Sequence, residues 1–250
     1  MEFSRSAPIF ACRAGAFFLP CVVRDRAVMT RRLLLWIDAV KRPGPEAMAV
    51  DEWLLETADR PVLRVYGWAG TWGSVGYFGK LEEARAAFRG VEWVRRWTGG
   101  GTVDHRADWT YTLVVPAGET LAALRGAESY RVIHAALAEA LRGEGIGARL
   151  SDGADETGAG VCFENPVSHD LVDGRGRKLA GAGQRRTVRG LLHQGSVAAG
   201  CDEKISGLRA ERLAGALAEV WEIGDFHIPE PVILEKVRAR YGAAAWTERR

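Results

Sequence analysis

The sequence predicts a single α/β domain, and three observations carry that expectation. Segments 61–66 and 109–116 read as strands, the first alternating at period two and the second rich in β-branched and aromatic residues. Segments such as 45–55 and 121–141 have helical character instead. No internal repeat or low-complexity linker divides the 250 residues.

Taken in order, residues 33–37 (LLLWI) form a short apolar strand, and 41–45 a turn. A helix over 45–55 opens with Pro45 and Glu46, both favoured in a first turn, and carries Met48, Val50, Trp53, Leu54 and Leu55 as its apolar face. After the strand at 61–66, the Gly- and aromatic-rich stretch 67–79 (Trp68, Trp72, Tyr77, Phe78) contains a turn and another strand. A short helix spans 81–88, and a strand at 91–96 runs into Thr98-Gly99-Gly100-Gly101. The strand at 109–116 is followed by one long helix over 121–141 and a strand at 148–150. Residues 151–160 are a polar, Gly-rich loop. Segments 169–172 and 178–181 flank the turn Asp173-Gly174-Arg175-Gly176 as a hairpin. A strand at 191–198 and helices at 210–220 and 230–241 close the chain.

Composition narrows the function. Hydrophobic content of 47% and charged content of 26% are those of a soluble globular protein, which excludes collagen-like, mucin-like and disordered chains. With 34 basic and 32 acidic residues there is no electrostatic case for nucleic acid. The four cysteines, Cys12, Cys21, Cys162 and Cys201, form no CxxC pair and are too few to staple a scaffold, so a reduced, cytoplasmic chain without a metal site is expected. Residues 7–23 are apolar but broken by Arg13, short of the roughly 20 apolar residues a membrane span needs and without a tidy cleavage site. Residues 1–28 are expected to be an extension upstream of a true start at Met29, a disordered or targeting extension, or a structural segment. Residues 29–250 then form one domain. Only five of the basic residues are lysines, so each lysine marks a place where the habitual arginine was passed over.

Three constellations could carry chemistry. In Arg95-Arg96-Trp97-Thr98-Gly99-Gly100-Gly101-Thr102-Val103-Asp104-His105, three glycines after a strand let backbone approach a ligand, and their N–H groups can line an anion or acyl-carbonyl site beside two arginines. It is neither GxxxxGK[ST] nor GxGxxG, and a flexible turn is the plainer alternative. The second is Cys162 followed by Gly176-Arg177-Lys178-Leu179-Ala180-Gly181-Ala182-Gly183-Gln184. Cys162 could be a nucleophile if cationic neighbours lower its thiol pKa, or a small buried hydrophobe. Lys178 could serve a developing oxyanion as a compact point donor, or be a solvated hairpin lysine. In the third, Leu191-Leu192-His193-Gln194-Gly195, His193 could orient substrate or be a satisfied core histidine.

Taken together these segments resemble the lipoate–protein ligase and octanoyltransferase superfamily, which is related to the biotin ligases. The likeness spans about 36–199 and runs in the family's order: AMAVDEWLL (47–55), LRVYGWAGTWGSVGYFGK (63–80), RRWTGGGTVDHRADWTYTLVV (95–115), VCFENPVSHDLV (161–172), RKLAGAGQRR (177–186) and LLHQGSV (191–197). The YGW…S-x-GYF and CF-x-x-P segments are similar to those of the cysteine octanoyltransferases of Gram-positive type. The resemblance implies a biotin/lipoate ligase-like catalytic domain of mixed, mostly antiparallel sheets with flanking helices. It also implies transfer of an octanoyl group from acyl carrier protein to a lysine of a lipoyl domain, on glycine-cleavage H protein or a 2-oxoacid dehydrogenase E2, with no membrane or nucleic-acid partner.

By the same resemblance Cys162 matches the nucleophile and Lys178 the lysine that contacts the acyl carbonyl. Arg96, Thr98, Gly99, Gly100, Gly101 and His105 fall in the substrate-binding block, Gly181 and Gln184 in the second block, and His193 beside it. No cofactor is implied for the transferase. The alternative within the fold is an ATP-dependent lipoate–protein ligase, which forms lipoyl-AMP and needs ATP and Mg2+. From another class, a non-catalytic acyl- or lipoyl-binding module would use the same pocket. The chain departs from the family pattern at Trp97, at Ala182-Gly183, at His193-Gln194 and at His169-Asp170, where Tyr-Glu is common.

Overall fold

The computed structural model describes residues 30–124, 126–153, 166–200 and 202–249. Cys162 and the other three cysteines, the 1–28 extension and most of the 151–160 loop lie outside the described residues.

Among the described residues, eight strands form one mixed sheet: β1 (Thr30–Arg42), β2 (Val62–Trp68), β6 (Trp109–Pro116), β7 (Arg149–Leu150), β8 (Leu171–Val172), β9 (Lys178–Thr187), β10 (Gly190–Val197) and β11 (Ala218–Ile223). Their spatial order is β11-β1-β2-β6-β10-β9-β8-β7. β1 runs parallel to both β2 and β11, and the other neighbours are antiparallel. A smaller sheet, ordered β4-β3-β5, is made of β3 (Trp72–Val75), β4 (Glu92–Arg95) and β5 (Thr102–Asp104). This is the mixed, mostly antiparallel architecture expected.

Side chains alternate across a strand, so the large sheet separates two cores. On one face Leu63, Tyr111, Leu113 and Leu191 pack under α4 (Ala127–Arg142) and α5 (Glu203–Leu217). On the other, Val62, Tyr66, Val114 and Leu192 pack under α1 (Gly44–Thr57) and the C-terminal helices. α1 has Pro in its first turn, as expected, and its C-cap Ala58 N–H closes on Leu54 O.

Several elements depart from expectation. β1 is 13 residues long, where a five-residue strand was expected, because it has a partner on each side. The long helix over 121–141 is two helices, α3 (Thr120–Ala123) and α4. Gly126 between them stands at φ +59 and ψ −134, a conformation no α-helix contains. The helix expected at 210–220 is α5, which begins earlier, where the Asp202 carboxylate accepts from Ile205 N–H, and ends at Leu217. Beyond it the chain turns extended and adds β11 to the free edge of β1. The helix at 230–241 is α6 (Glu230–Lys236) continued by a π-helical turn (Val237–Tyr241). α2 (Leu81–Ala87) stands where expected, whereas β5 and α7 (Ala244–Thr247) were not foreseen.

Candidate active site

A narrow cleft lies between the two sheets. Its walls are Met48 of α1, Tyr66 and Trp68 of β2, Val103 of β5, Gly181 to Gly183 of β9, Gln194 to Ser196 of β10, and Arg96, Gly100 and His105 of the glycine-rich block.

Glycines make the cleft possible. A Cβ on Gly183 would stand 2.3 Å from Gly99 O and 2.8 Å from Thr98 Oγ1, so the bare strand lets the 98–101 loop sit directly on β9. Gly99 N–H donates to Gln184 O, and Tyr77 N–H to Thr98 O. Gly100 takes φ +90, where a larger residue is strained.

Arg96 is buried and clamps this loop. Its Nη1 donates to Ser74 Oγ and, at 3.1 Å, to Ser74 O, and its Nη2 to Gly101 O at 2.9 Å. Neighbouring Arg95 faces the other way and ties Gly76 O and Gly79 O to Thr247 O and Arg249 O at the C-terminus.

His105 is held at both ring nitrogens, by Ser74 Oγ at 2.6 Å and Asp108 Oδ2 at 2.7 Å, and Trp68 stacks on it at 4.2 Å. Asp108 also bonds the Ser196 and Thr110 hydroxyls, and Trp68 Nε1–H reaches Thr110 Oγ1. The result is one hydrogen-bonded polar patch in the wall of the cleft.

A second network lies beneath the cleft. Thr98 Oγ1 donates to Gln194 Oε1, and Gln194 Nε2 to Asp51 Oδ2. Asp51 also takes Arg64 Nη1 at 2.6 Å, Thr112 Oγ1 at 2.7 Å and Tyr66 OH at 3.2 Å. Arg64 in turn pairs with Asp38 at 2.8 Å, and these charges are fully buried. Burial, aided by Asp51, pushes the Tyr66 phenol well up.

Lys178 opens β9. Its side chain folds over Gly181, where a Cβ would stand 2.6 Å from Lys178 Cε and 2.8 Å from Nζ. The ammonium is therefore beside the cleft-lining backbone, and the K-x-x-G spacing has a steric cause. Lys178 Nζ pairs with Asp170 Oδ2 at 2.6 Å.

Gln184 and His193 lie on the other face of the sheet. β9–β10 pairing sets Gln184 opposite His193 and Gly183 opposite Gln194, and successive residues point to opposite faces. His193 Nδ1 meets Gln184 Nε2 and its Nε2 meets Tyr111 OH, each at 3.0 Å, while Ser129 of α4 donates to Gln184 Oε1. Burial pushes His193 well below its ordinary pKa, and the nearby His134 adds to this. It is Gln194, one residue on, that faces the cleft.

Of the residues singled out in the sequence, Arg96, Gly100, His105 and Gly181 line the cleft; Thr98 and Gly99 dock on Gly183 of β9, Gly101 O accepts from Arg96, Lys178 packs on Gly181, Gln184 and His193 lie on the other face of the sheet, and Cys162 lies outside the described residues. Sequence reasoning passed over Ser74, Asp108, Asp51 and Gln194. Asp51 had a signal, a carboxylate inside an apolar helical run. The others are single polar residues in strands or turns, without one. Among the described residues no group of three or more His, Cys, Asp or Glu side chains could hold a metal ion, and no helix is long and apolar enough to cross a membrane.

Comparison with known proteins agrees with this architecture. Octanoyltransferase LipM of Symbiobacterium thermophilum is 34% identical over 200 residues, spanning 71% of this chain and 72% of that protein. Octanoyltransferase LipM of Geobacillus kaustophilus is 33% identical over 193 residues, spanning 71% and 69%. Among solved structures, a T. acidophilum protein with bound lipoic acid shares the fold with a TM-score of 0.67 at 18% identity, over 88% of this chain and 99% of that one. A lipoate-protein ligase A bound with ATP does so with a TM-score of 0.64 at 21% identity, again over 88% and 99%. Residues 43–222 match the lipoyl protein ligase A/B catalytic domain, and the chain belongs to that family.

Proposed function

We propose that this chain is an octanoyltransferase of lipoate biosynthesis that carries the acyl group on Cys162. The observation that most supports the reading is the Lys178 ammonium folded over Gly181 at the edge of an apolar cleft, in a chain whose relatives are octanoyltransferases.

In this reading the octanoyl thioester of acyl carrier protein enters with its alkyl chain against Met48, Trp68 and Val103. The Cys162 sulfur attacks the carbonyl carbon and Lys178 donates a hydrogen bond to the oxygen as negative charge develops there. The bond to the carrier sulfur breaks, the carrier thiol leaves with the proton, and octanoyl-Cys162 remains. The amine of a lysine on a lipoyl domain, such as that of glycine-cleavage H protein or a 2-oxoacid dehydrogenase E2, then attacks the same carbon. The Cys162 sulfur leaves, regains a proton from the amine, and an amide results. Thioester replaces thioester and then gives way to a more stable amide, so no ATP, metal or other cofactor is needed. The reaction belongs in the cytoplasm, with residues 29–250 as one catalytic domain.

Intact mass spectrometry after incubation with octanoyl-acyl carrier protein, without ATP, tests the proposal. Wild type gains a hydroxylamine-labile octanoyl adduct that discharges onto a lipoyl domain, and Cys162→Ala gains none. Lys178→Met forms it roughly 100- to 1,000-fold more slowly, the cost of one oxyanion donor. Acceptor modification that needs ATP and lipoate and survives Cys162→Ala would instead identify a lipoate–protein ligase. A bound acyl or lipoyl group without turnover would identify a binding module.

A further inference from the structure

The arginine beside Arg96 grips the glycine-rich block from behind. Arg95 ends β4 with its side chain buried, and its guanidinium donates to the six backbone carbonyls of Gly76, Tyr77, Gly79, Trp246, Thr247 and Arg249. The shortest of these bonds run from Nη1 to Gly79 O at 2.7 Å and from Nη2 to Arg249 O at 2.8 Å. Trp246 Nε1–H returns a bond to Arg95 O at 3.0 Å. Among the described residues no carboxylate pairs with Arg95, so what it joins is the backbone of two segments far apart in the chain. A rigid planar fork of N–H donors can bridge such a set of carbonyls, and arginine is the side chain that carries one.

The 76–79 turn passes this hold on to the cleft. Gly76 N–H donates to Gly101 O at 3.2 Å, and Tyr77 N–H to Thr98 O at 2.8 Å. A Cβ on Gly76 would stand 1.9 Å from Gly100 O, so turn and glycine loop lie backbone against backbone. Side chains of the C-terminal segment add to the contact. Trp246 meets the Tyr77 ring edge-on at 5.6 Å, and the Arg249 guanidinium lies over that ring at 4.1 Å. Arg240 of the π-helical turn lies over Trp97, the residue before Thr98, at 4.8 Å. The wall that Gly100 gives the cleft is therefore backed by residues of the C-terminal segment, while Arg96 holds the loop from the cleft side.

We propose that Arg95 is a positioning residue: by tying residues 246–249 to the 76–79 turn it holds the glycine loop ready to receive the acyl chain, so that acyl binding depends on the C-terminal segment. A loop already ordered loses less freedom when a ligand settles on it, which favours binding and leaves the chemical step alone. The identity of that ligand rests on the transferase reading. Arg95 acts through the turn and the loop, and is not itself among the residues that line the cleft.

Hydrogen exchange followed by NMR and transfer kinetics, both on Arg95→Met, test this together. The amides of Gly76, Tyr77 and Gly99 are expected to exchange at least about tenfold faster than in wild type, while those of β6 and β10 change less than about twofold. KM for octanoyl-acyl carrier protein rises roughly 5- to 20-fold, with kcat within about threefold of wild type. Arg95→Lys keeps the charge but not the fork, so it recovers only part of both effects. Should Arg95→Met not fold, Trp246→Ala, which removes the bond to Arg95 O and the ring against Tyr77, moves both readings the same way by less. Unchanged exchange at Gly76, Tyr77 and Gly99 overturns the proposal. An exchange gain spread evenly through β6 and β10 also overturns it, because Arg95 would then serve general stability alone. So does a loss of activity carried by kcat with KM unchanged. If these amides loosen in the variant but the wild type transfers no octanoyl group, the transferase reading fails and the hold of Arg95 on the loop stands.

Discussion

His134 shows how one buried side chain can set the acid limit of the fold. It sits in α4 with its ring 4.1 Å from that of Tyr130, and its Nε2 has no hydrogen-bond partner among the described residues. Burial lowers its pKa from 6.5 to about 4, and His193 is lowered in the same direction. Between these two pH values the unfolded chain binds more protons than the folded one, so stability falls as the pH falls from about 6.5 toward 4. Urea unfolding at about pH 7 and pH 5 should show wild type losing a few kcal/mol, since each buried neutral histidine costs about 1.4 kcal/mol for every pH unit below its unfolded-state pKa. His134→Leu should lose clearly less, and an equal loss would count against this account. Neither histidine advertises its burial locally. His134 stands in the helical pattern of 121–141, and His193 in an apolar strand, where a ligand and a core residue look alike.

At the scale of elements, alternation and helical spacing were enough for most of the fold. β6 runs over the expected residues, and the turn Asp173 to Gly176 closes its hairpin, with Asp173 Oδ1 accepting from the N–H groups of Arg175 and Arg177. β11 was not legible because burial does not hold it. Val220 and Ile223 are 60% and 59% exposed, and the strand is kept by backbone pairing to β1, which leaves no hydropathy pattern. The split between α3 and α4 had its signal in Gly126, overridden by the apolar periodicity on both sides. Nothing lies within 4 Å of where a Gly126 Cβ would be, so Gly126→Ala isolates the cost to the backbone. It should destabilise by about 1–2 kcal/mol in urea denaturation, the cost of a side chain at positive φ. A stabilised variant would mean that the two helices can fuse.

Over the whole molecule, the Asp38–Arg64–Asp51 network joins parts that share no sequence neighbourhood. Asp38 lies in β1, Arg64 in β2 and Asp51 in α1, and Thr112 of β6 and Gln194 of β10 complete the shell around Asp51. Removing one member strands the rest of a buried charge cluster. Asp51→Ala should therefore cost about 3–5 kcal/mol of unfolding free energy in chemical denaturation. Because Gln194 bridges Asp51 to Thr98, it should also loosen the glycine loop, seen as faster amide exchange at residues 98–101. A loss below about 1 kcal/mol would show that the network relaxes.

The residues that build the cleft stand in the sequence as motifs, with the glycines and Lys178 already at their working spacing. Strand alternation alone also requires His193 and Gln194 to face opposite ways. Alternation cannot say which side of the sheet meets the glycine loop, since both faces of β10 are buried and carry apolar residues. That choice came from the docking of residues 98–101 onto Gly183, a contact between segments some eighty residues apart that only the packed chain creates. The same holds for Asp170 and Lys178. Each is visible as a charge in the sequence, and their partnership depends on the β8–β9 hairpin and on Tyr130 reaching across from α4.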